Sequence, residues 1–321
     1  MQRPVCLCLA LAIGLSTAPA FAARAKKPKA PPAQPIAQDV CEPALATAAT
    51  SNGAPSEVSL IADSVDRMAN FKKLFGTSKP IIAMVHLAGK DTWDILKRVE
   101  EELDIFVRQG VEAVIVENYH SKDVNVMHLA LHLFVKRYPQ LVFGVNVLPN
   151  EIEVAYEMAA AHGAKFIQFD HVAGTYMGFG YSGATRKADR KKLEEMRKKY
   201  PQIQILGGVH PKYYDPVPGS DLGKDLRRGV RRSDAIVVTG TGTGIATPLD
   251  KIKIFRQEIG AKVPLVVGAG VDIQNVRSQL AIADGVIIGS YFKGGETFNK
   301  TDEGLVAGFM KVVREIRDQN P

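Results

Sequence analysis

Cysteine is scarce in this sequence. There are three in 321 residues; Cys6 and Cys8 fall in an N-terminal apolar run, and only Cys41 lies beyond it. A lone thiol forms no internal disulfide and supplies no thiolate cluster for zinc. Cys41 sits in a low-complexity stretch, which argues against a nucleophile and leaves an intermolecular bridge in an oxidising compartment. No run reaches the roughly 20 apolar residues that span a bilayer. There is no Walker sequence, no dinucleotide fingerprint in a βαβ setting and no nucleophile elbow followed by Asp and His. The run "GTGTGIA" (240–246) is similar to a nucleotide loop but lacks an acidic residue placed for ribose. Acidic residues are in a minority, 34 Asp and Glu against 41 Lys and Arg, for a net charge of +7. That surplus reads as spread along the chain. It fits a small anionic ligand or a membrane surface without calling for a specific nucleic acid.

What is present begins with a leader. Residues 1–22 carry Arg3, an apolar run from Val5 to Leu15, and Ala20 and Ala22 ahead of the following Ala23. This is the pattern of a secretory signal peptide cleaved after Ala22, so the mature protein is expected to be exported, periplasmic or secreted. Residues 23–56 are rich in Ala, Pro and Lys with almost no large apolar side chains. They read as a disordered basic linker able to touch a membrane peripherally. The remaining domain, 57–321, opens with a helical pattern over 57–75.

From Pro80 onward a unit repeats: a short β-branched apolar run, a turn, then an amphipathic stretch. The runs cover 80–87, 111–118, 141–148, 164–172, 204–210, 234–240, 263–270 and 284–290. Nearly continuous apolar runs of this length mark strands buried on both faces of a parallel sheet. Helical stretches lie over 92–110, 151–163, 189–201, 248–260, 273–283 and 302–319, several stopping on Gly. Eight such units predict an α/β fold, a (β/α)8 TIM barrel, with an open doubly wound sheet as the alternative.

Active sites of these barrels lie at the C-terminal ends of the strands. Those ends carry His86, Glu117 with Asn118, Asn146, Asp170 with His171, His210 with Lys212, and then three glycine-rich ends. Glu117, Asp170, His210 and Lys212 are the candidates for catalysis, as acid–base groups or, for Lys212, a Schiff base. His86, Glu117, Asp170, His171 and His210 are candidates for holding a divalent metal, the one cofactor considered. Thr239, Gly240, Gly242, Gly268, Gly270, Gly289 and Ser290 are candidates for binding phosphate, which barrels commonly hold after strands seven and eight.

Several stretches together, "PIIAMVHL", "GVEAVIVEN", "FGVNVLPN", "SDAIVVTGTGTGIATPLDKI", "VPLVVGAGVDIQNV" and "ADGVIIGSYFK", resemble the BtpA/SgcQ family from about Pro80 to the C-terminus. The resemblance implies a ribulose-phosphate-binding type of barrel that takes a phosphorylated sugar or similar small anion, with no assigned reaction. For some members it implies instead a role as an assembly or membrane-associated factor in photosystem I biogenesis. A homo-oligomer is a further expectation. The chain departs from the family's pattern at "AGKDTWD", at "ENYHSKD", and at "GGVHPKYY", where His210 and Lys212 match but Gly208 and Tyr213 replace an Asp and a His.

Overall fold

A computed structural model describes residues 66–177 and 185–319. The leader, the linker and the start of the lead-in helix lie outside the described residues. The described chain begins with α1 (Arg67–Phe75) and continues as β1 (Ile81–Val85), α2 (Thr92–Gln109), β2 (Ala113–Glu117), α3 (Val124–Arg137), β3 (Val142–Asn146), α4 (Ile152–His162) and β4 (Phe166–Phe169). It then forms α5 (Arg190–Lys199), β5 (Gln204–Gly208), α6 (Leu222–Arg232), β6 (Ala235–Val238), α7 (Leu249–Ile259), β7 (Leu265–Val267), α8 (Val276–Leu280), β8 (Gly285–Ile288), a 3-10 turn (Ser290–Lys293) and α9 (Glu303–Gln319). Each strand pairs in parallel with the next and β8 pairs with β1, closing the barrel. Closure excludes the open doubly wound sheet.

Local chemistry places the helices. Asp91, Asp123, Asp189 and Asp221 cap α2, α3, α5 and α6, each carboxylate accepting a first-turn backbone N–H. Along the strands the side chains alternate. Ile82, Met84, Ile115, Leu206, Val237 and Val266 point to the barrel axis, while Ile81, Val85, Val114, Ile205, Ile236 and Leu265 pack under the helices.

The axis is filled from the closed end by Phe166 and by Phe71 and Phe75 of α1. The Phe75 and Phe166 rings meet edge to face at 5.4 Å. Gly144 of β3 makes room for Phe166, since a Cβ there would lie 2.5 Å from the ring. The Arg67 guanidinium donates to the carbonyls of Val230, at 2.7 Å, and Ser233, at 3.2 Å, and so fastens α1 across the base.

The positive charge is not evenly spread as the sequence suggested. Residues 186–232, which include α5 and α6, hold 14 Lys and Arg against 6 Asp and Glu, so one side of the barrel carries the whole surplus. Among the described residues no helix is long and apolar enough to cross a membrane.

Removing the plug should cost a cavity's worth of stability. Phe75→Ala is expected to lower the unfolding free energy by about 3–5 kcal/mol, read as a fall in the urea midpoint. Trp93→Ala, at a side chain 83% exposed, should change it by less than about 0.5 kcal/mol. Equal effects from the two would remove the plug assignment.

Candidate functional site

The strand ends gather a buried ionisable cluster. His86 follows β1 and stands with Nε2 3.9 Å from Glu117 Oε2 at the end of β2. Gly289, after β8, makes room for the imidazole, since a Cβ there would lie 2.5 Å from His86 Cε1. Glu117 is in register with Asn146 of β3, whose Nδ2 donates to Glu117 Oε1 at 2.8 Å. Asp170, just past β4, accepts from the Tyr214 hydroxyl at 3.1 Å. Lys212 is pinned at both ends: its N–H donates to Thr239 Oγ1 at 2.6 Å and its ammonium to Thr243 Oγ1 at 3.1 Å. Lys251 of α7 holds two strand ends together, donating to the carbonyls of His210 and Thr239 at 3.0 and 2.8 Å.

Burial sets the protonation of this cluster. It pushes the Glu117 carboxyl up to about 7; the Lys212 ammonium opposes the shift, Asp170 adds to it, and the Asn146 hydrogen bond opposes it. Asp170 is raised for the same reason, against Lys212 and the bond from Tyr214. His86 is held well below the ordinary imidazole range, first by burial and then by the charges of Lys293 and Lys212. Lys293 is itself buried and paired with Glu102 of α2. His86 is therefore a neutral imidazole, and its buried Nδ1 has no hydrogen-bond partner among the described residues.

Two chambers meet at this cluster. One, of about 40 Å³, is bounded by His86, Glu117, Lys212, Thr243, Gly244, the 268–271 turn, Gly289 and Ser290. The other, of about 190 Å³, is bounded by Tyr119, Tyr213, Tyr214, Leu148, Pro149 and Pro211. Glu117, Gln168, Asp170 and Lys212 line both.

Of the residues proposed for chemistry, Glu117, Asp170 and Lys212 thus converge. His210 does not. Its backbone takes φ +45°, and its Nε2 lies 3.1 Å from Asp225 Oδ2 of α6 on the outer ring. His171 packs its ring against Tyr176 and Tyr214, each at 5.0 Å, beside Asn150, and is lowered to about 4 by burial and Arg186. Among the described residues no three His, Cys, Asp or Glu side chains are placed to hold a metal ion. The expected set of His86, Glu117, Asp170, His171 and His210 is not assembled, because His171 and His210 turn elsewhere.

Of the phosphate candidates, Gly268, Gly270, Gly289 and Ser290 line the small chamber. Gly270 takes φ +61°, and a Cβ there would collide with the Ile245 backbone. Thr239 instead borders the tyrosine chamber. Gly240 lets its loop fold back onto the carbonyls of Ile245 and Ala246, and Gly242 packs beside Ile245 and Tyr213. Thr243 and Gly244 take their place in the chamber wall. Sequence reasoning missed Gln168, Tyr119, Tyr213 and Tyr214. The only local signal for them was the Tyr pair directly after Lys212.

Comparison with known proteins agrees with this architecture. The model of the BtpA family matches residues 77–315. The photosystem I biogenesis protein BtpA of Synechocystis sp. is 26% identical over 267 residues, covering 77% of this chain and 92% of its own length. The putative sgc region protein SgcQ of Escherichia coli is 27% identical over 275 residues, covering 78% and 100%. An uncharacterized protein of Pyrococcus abyssi is 28% identical over 262 residues, covering 75% and 98%. Among solved structures, native KDPGal superposes with a TM-score of 0.52 at 12% identity, covering 75% of this chain and 98% of its own. Phosphoribosyl anthranilate isomerase of Thermus thermophilus gives 0.51 at 10%, covering 74% and 100%. At such identities these two speak for the barrel alone. The match over residues 77–315 is to the family itself, and the chain belongs to the BtpA family.

Proposed function

We propose that the protein binds a small phosphorylated metabolite at the barrel mouth, with the phosphate in the glycine-lined chamber. The observation that carries this reading is the pairing of that chamber's bare backbone with the Lys212 ammonium, beside the neutral, buried His86. About 40 Å³ is space for roughly three water-sized groups, at 10–15 Å³ each, which suits the outer oxygens of a phosphate. Lys212 supplies the charge, and glycines leave backbone rather than side chains facing the anion.

Glu117 and Asp170 stand beside that chamber. A carboxyl poised near neutrality can take a proton from a substrate carbon or oxygen and return it, so the reaction class we favour is proton transfer within a phosphorylated substrate. Neutral His86, 3.9 Å from Glu117, can accept or donate a hydrogen bond to the group being deprotonated. The sequence reading of export belongs to the same proposal: a cleaved leader would present this site outside the cytoplasm. N-terminal sequencing of the mature chain should then begin at Ala23, and an intact Met1 would remove export from the proposal.

Glycerol 3-phosphate or ribose 5-phosphate should raise the melting temperature of the wild type. A ligand at about 100 times its dissociation constant contributes about 2.7 kcal/mol, and Lys212→Ala should abolish most of the shift. No stabilisation by any phosphate would sink the reading.

The acid–base role of Glu117 has its own signature. Its folded pKa of about 7 lies above the ordinary 4.5. The folded state therefore keeps a proton that the unfolded chain releases, and the group's contribution to stability is lost as pH rises between those values. Buried His86 has the opposite sign, its contribution being lost as pH falls below its ordinary value. Comparing Glu117→Gln with wild type isolates the carboxyl. The variant should gain on the order of 1–3 kcal/mol relative to wild type between about pH 5 and pH 8, in denaturant titrations. A difference that does not change with pH would mean Glu117 is an ordinary carboxylate.

A further inference from the structure

The tyrosine chamber is larger than any phosphate needs, and its chemistry differs from that of its neighbour. Its 190 Å³ is lined by three tyrosines, Leu148, Pro149 and Pro211, with the charged groups gathered at the edge it shares with the glycine chamber. An apolar cavity of about 150 Å³ is filled by a benzene ring, so this one has room for a single ring system. Aromatic faces and proline rings favour a flat occupant over a heavily hydroxylated one, because the lining is mainly apolar and the Tyr213 and Tyr214 hydroxyls are already engaged by Thr243 and Asp170.

The two chambers are also mechanically joined. The Tyr213 hydroxyl accepts the Thr243 N–H at 2.8 Å, and the Lys212 ammonium donates to Thr243 Oγ1 at 3.1 Å. The β6 loop that walls the anion chamber is thereby fastened to the wall of the ring chamber. Tyr214 ties the other wall to Asp170. Tyr119 and Tyr213 are 36% and 46% exposed at the rim, apolar surface left facing water with an open chamber beneath it.

We propose that this chamber receives a planar ring, so that the ligand class is an aromatic or heteroaromatic ring joined by a short linker to a phosphate. Shared lining by Glu117, Gln168, Asp170 and Lys212 puts the linker, rather than the ring or the phosphate, against the ionisable groups. Tyr119, Tyr213 and Tyr214 are then the residues that set specificity. The phosphate end of this ligand rests on the function proposed above; the ring end rests on the second chamber alone.

The test is calorimetric titration of the full mature chain with benzyl phosphate, whose methylene is the short linker, and with glycerol 3-phosphate and phenol in parallel. Benzyl phosphate should bind at least about tenfold tighter than glycerol 3-phosphate, as burial of one ring implies. Tyr119→Ala, which removes a wall, and Leu148→Trp, which fills the space, should each reduce that ratio below about threefold. Both phosphates binding with a ratio near one would overturn the ring proposal and leave the phosphate reading standing. Neither phosphate binding, with phenol still bound and displaced by Leu148→Trp, would overturn the phosphate reading and retain the ring chamber. Phenol failing to bind together with a ratio near one, or with no phosphate binding at all, overturns the ring proposal.

Discussion

Closure of eight parallel strands is the constraint on which everything else in this protein rests. A closed sheet has an interior of fixed width, and each strand must send alternate side chains into it. That leaves little freedom. Where Phe166 crosses the axis, β3 must present Gly144, and where the base is open, α1 must supply Phe71 and Phe75. The same closure brings the C-terminal ends of all eight strands into a single ring. Side chains far apart in sequence, such as His86, Glu117, Asp170 and Lys212, share one small volume for that reason alone.

Crowding ionisable groups there has electrostatic consequences that no single residue explains. Burial removes water from Glu117, Asp170 and His86 together, and each responds by favouring its neutral form. Cations temper this unequally. Lys212 touches both chambers, while Lys293 is committed to Glu102 and acts on His86 only through its field. The result is a polar mouth whose groups are held toward their neutral forms, with Glu117 alone pushed up to about 7, above an apolar core.

Much of the architecture could be read from residue pattern, because strands buried on both faces need uninterrupted apolar runs and nothing else in the chain looks like that. The runs overshot the observed strands at their ends, where glycines and polar residues leave the ladder to form the mouth: β7 is Leu265–Val267 within a run of eight. Helices α3 and α6 had no such signature. The first shows apolar Leu129 and Val135 to solvent, which blurs its stripe; the second has a sharply one-sided face, but only Leu226 and Val230 are large apolar residues on its buried side, with Asp225 and Gly229 beside them, so the stripe is too sparse to stand out among the arginines. For the site, strand-end position identified Glu117, Asp170, Lys212 and the glycines of β7 and β8, since it fixes where a Cα must lie. It does not fix direction. His210 occupies the expected place, yet its left-handed backbone and the nearby Asp225 turn the ring outward. The tyrosines were hidden because they sit in loops beyond the strands, where spacing carries no information.

The position of α1 bears on how the molecule can be held. Its rings enter the barrel from the end opposite the mouth, and Arg67 ties it to carbonyls at that same end. A fusion or surface linkage made at Asp66 itself is thus joined at the sealed base, with the mouth and its two chambers at the opposite end of the strands.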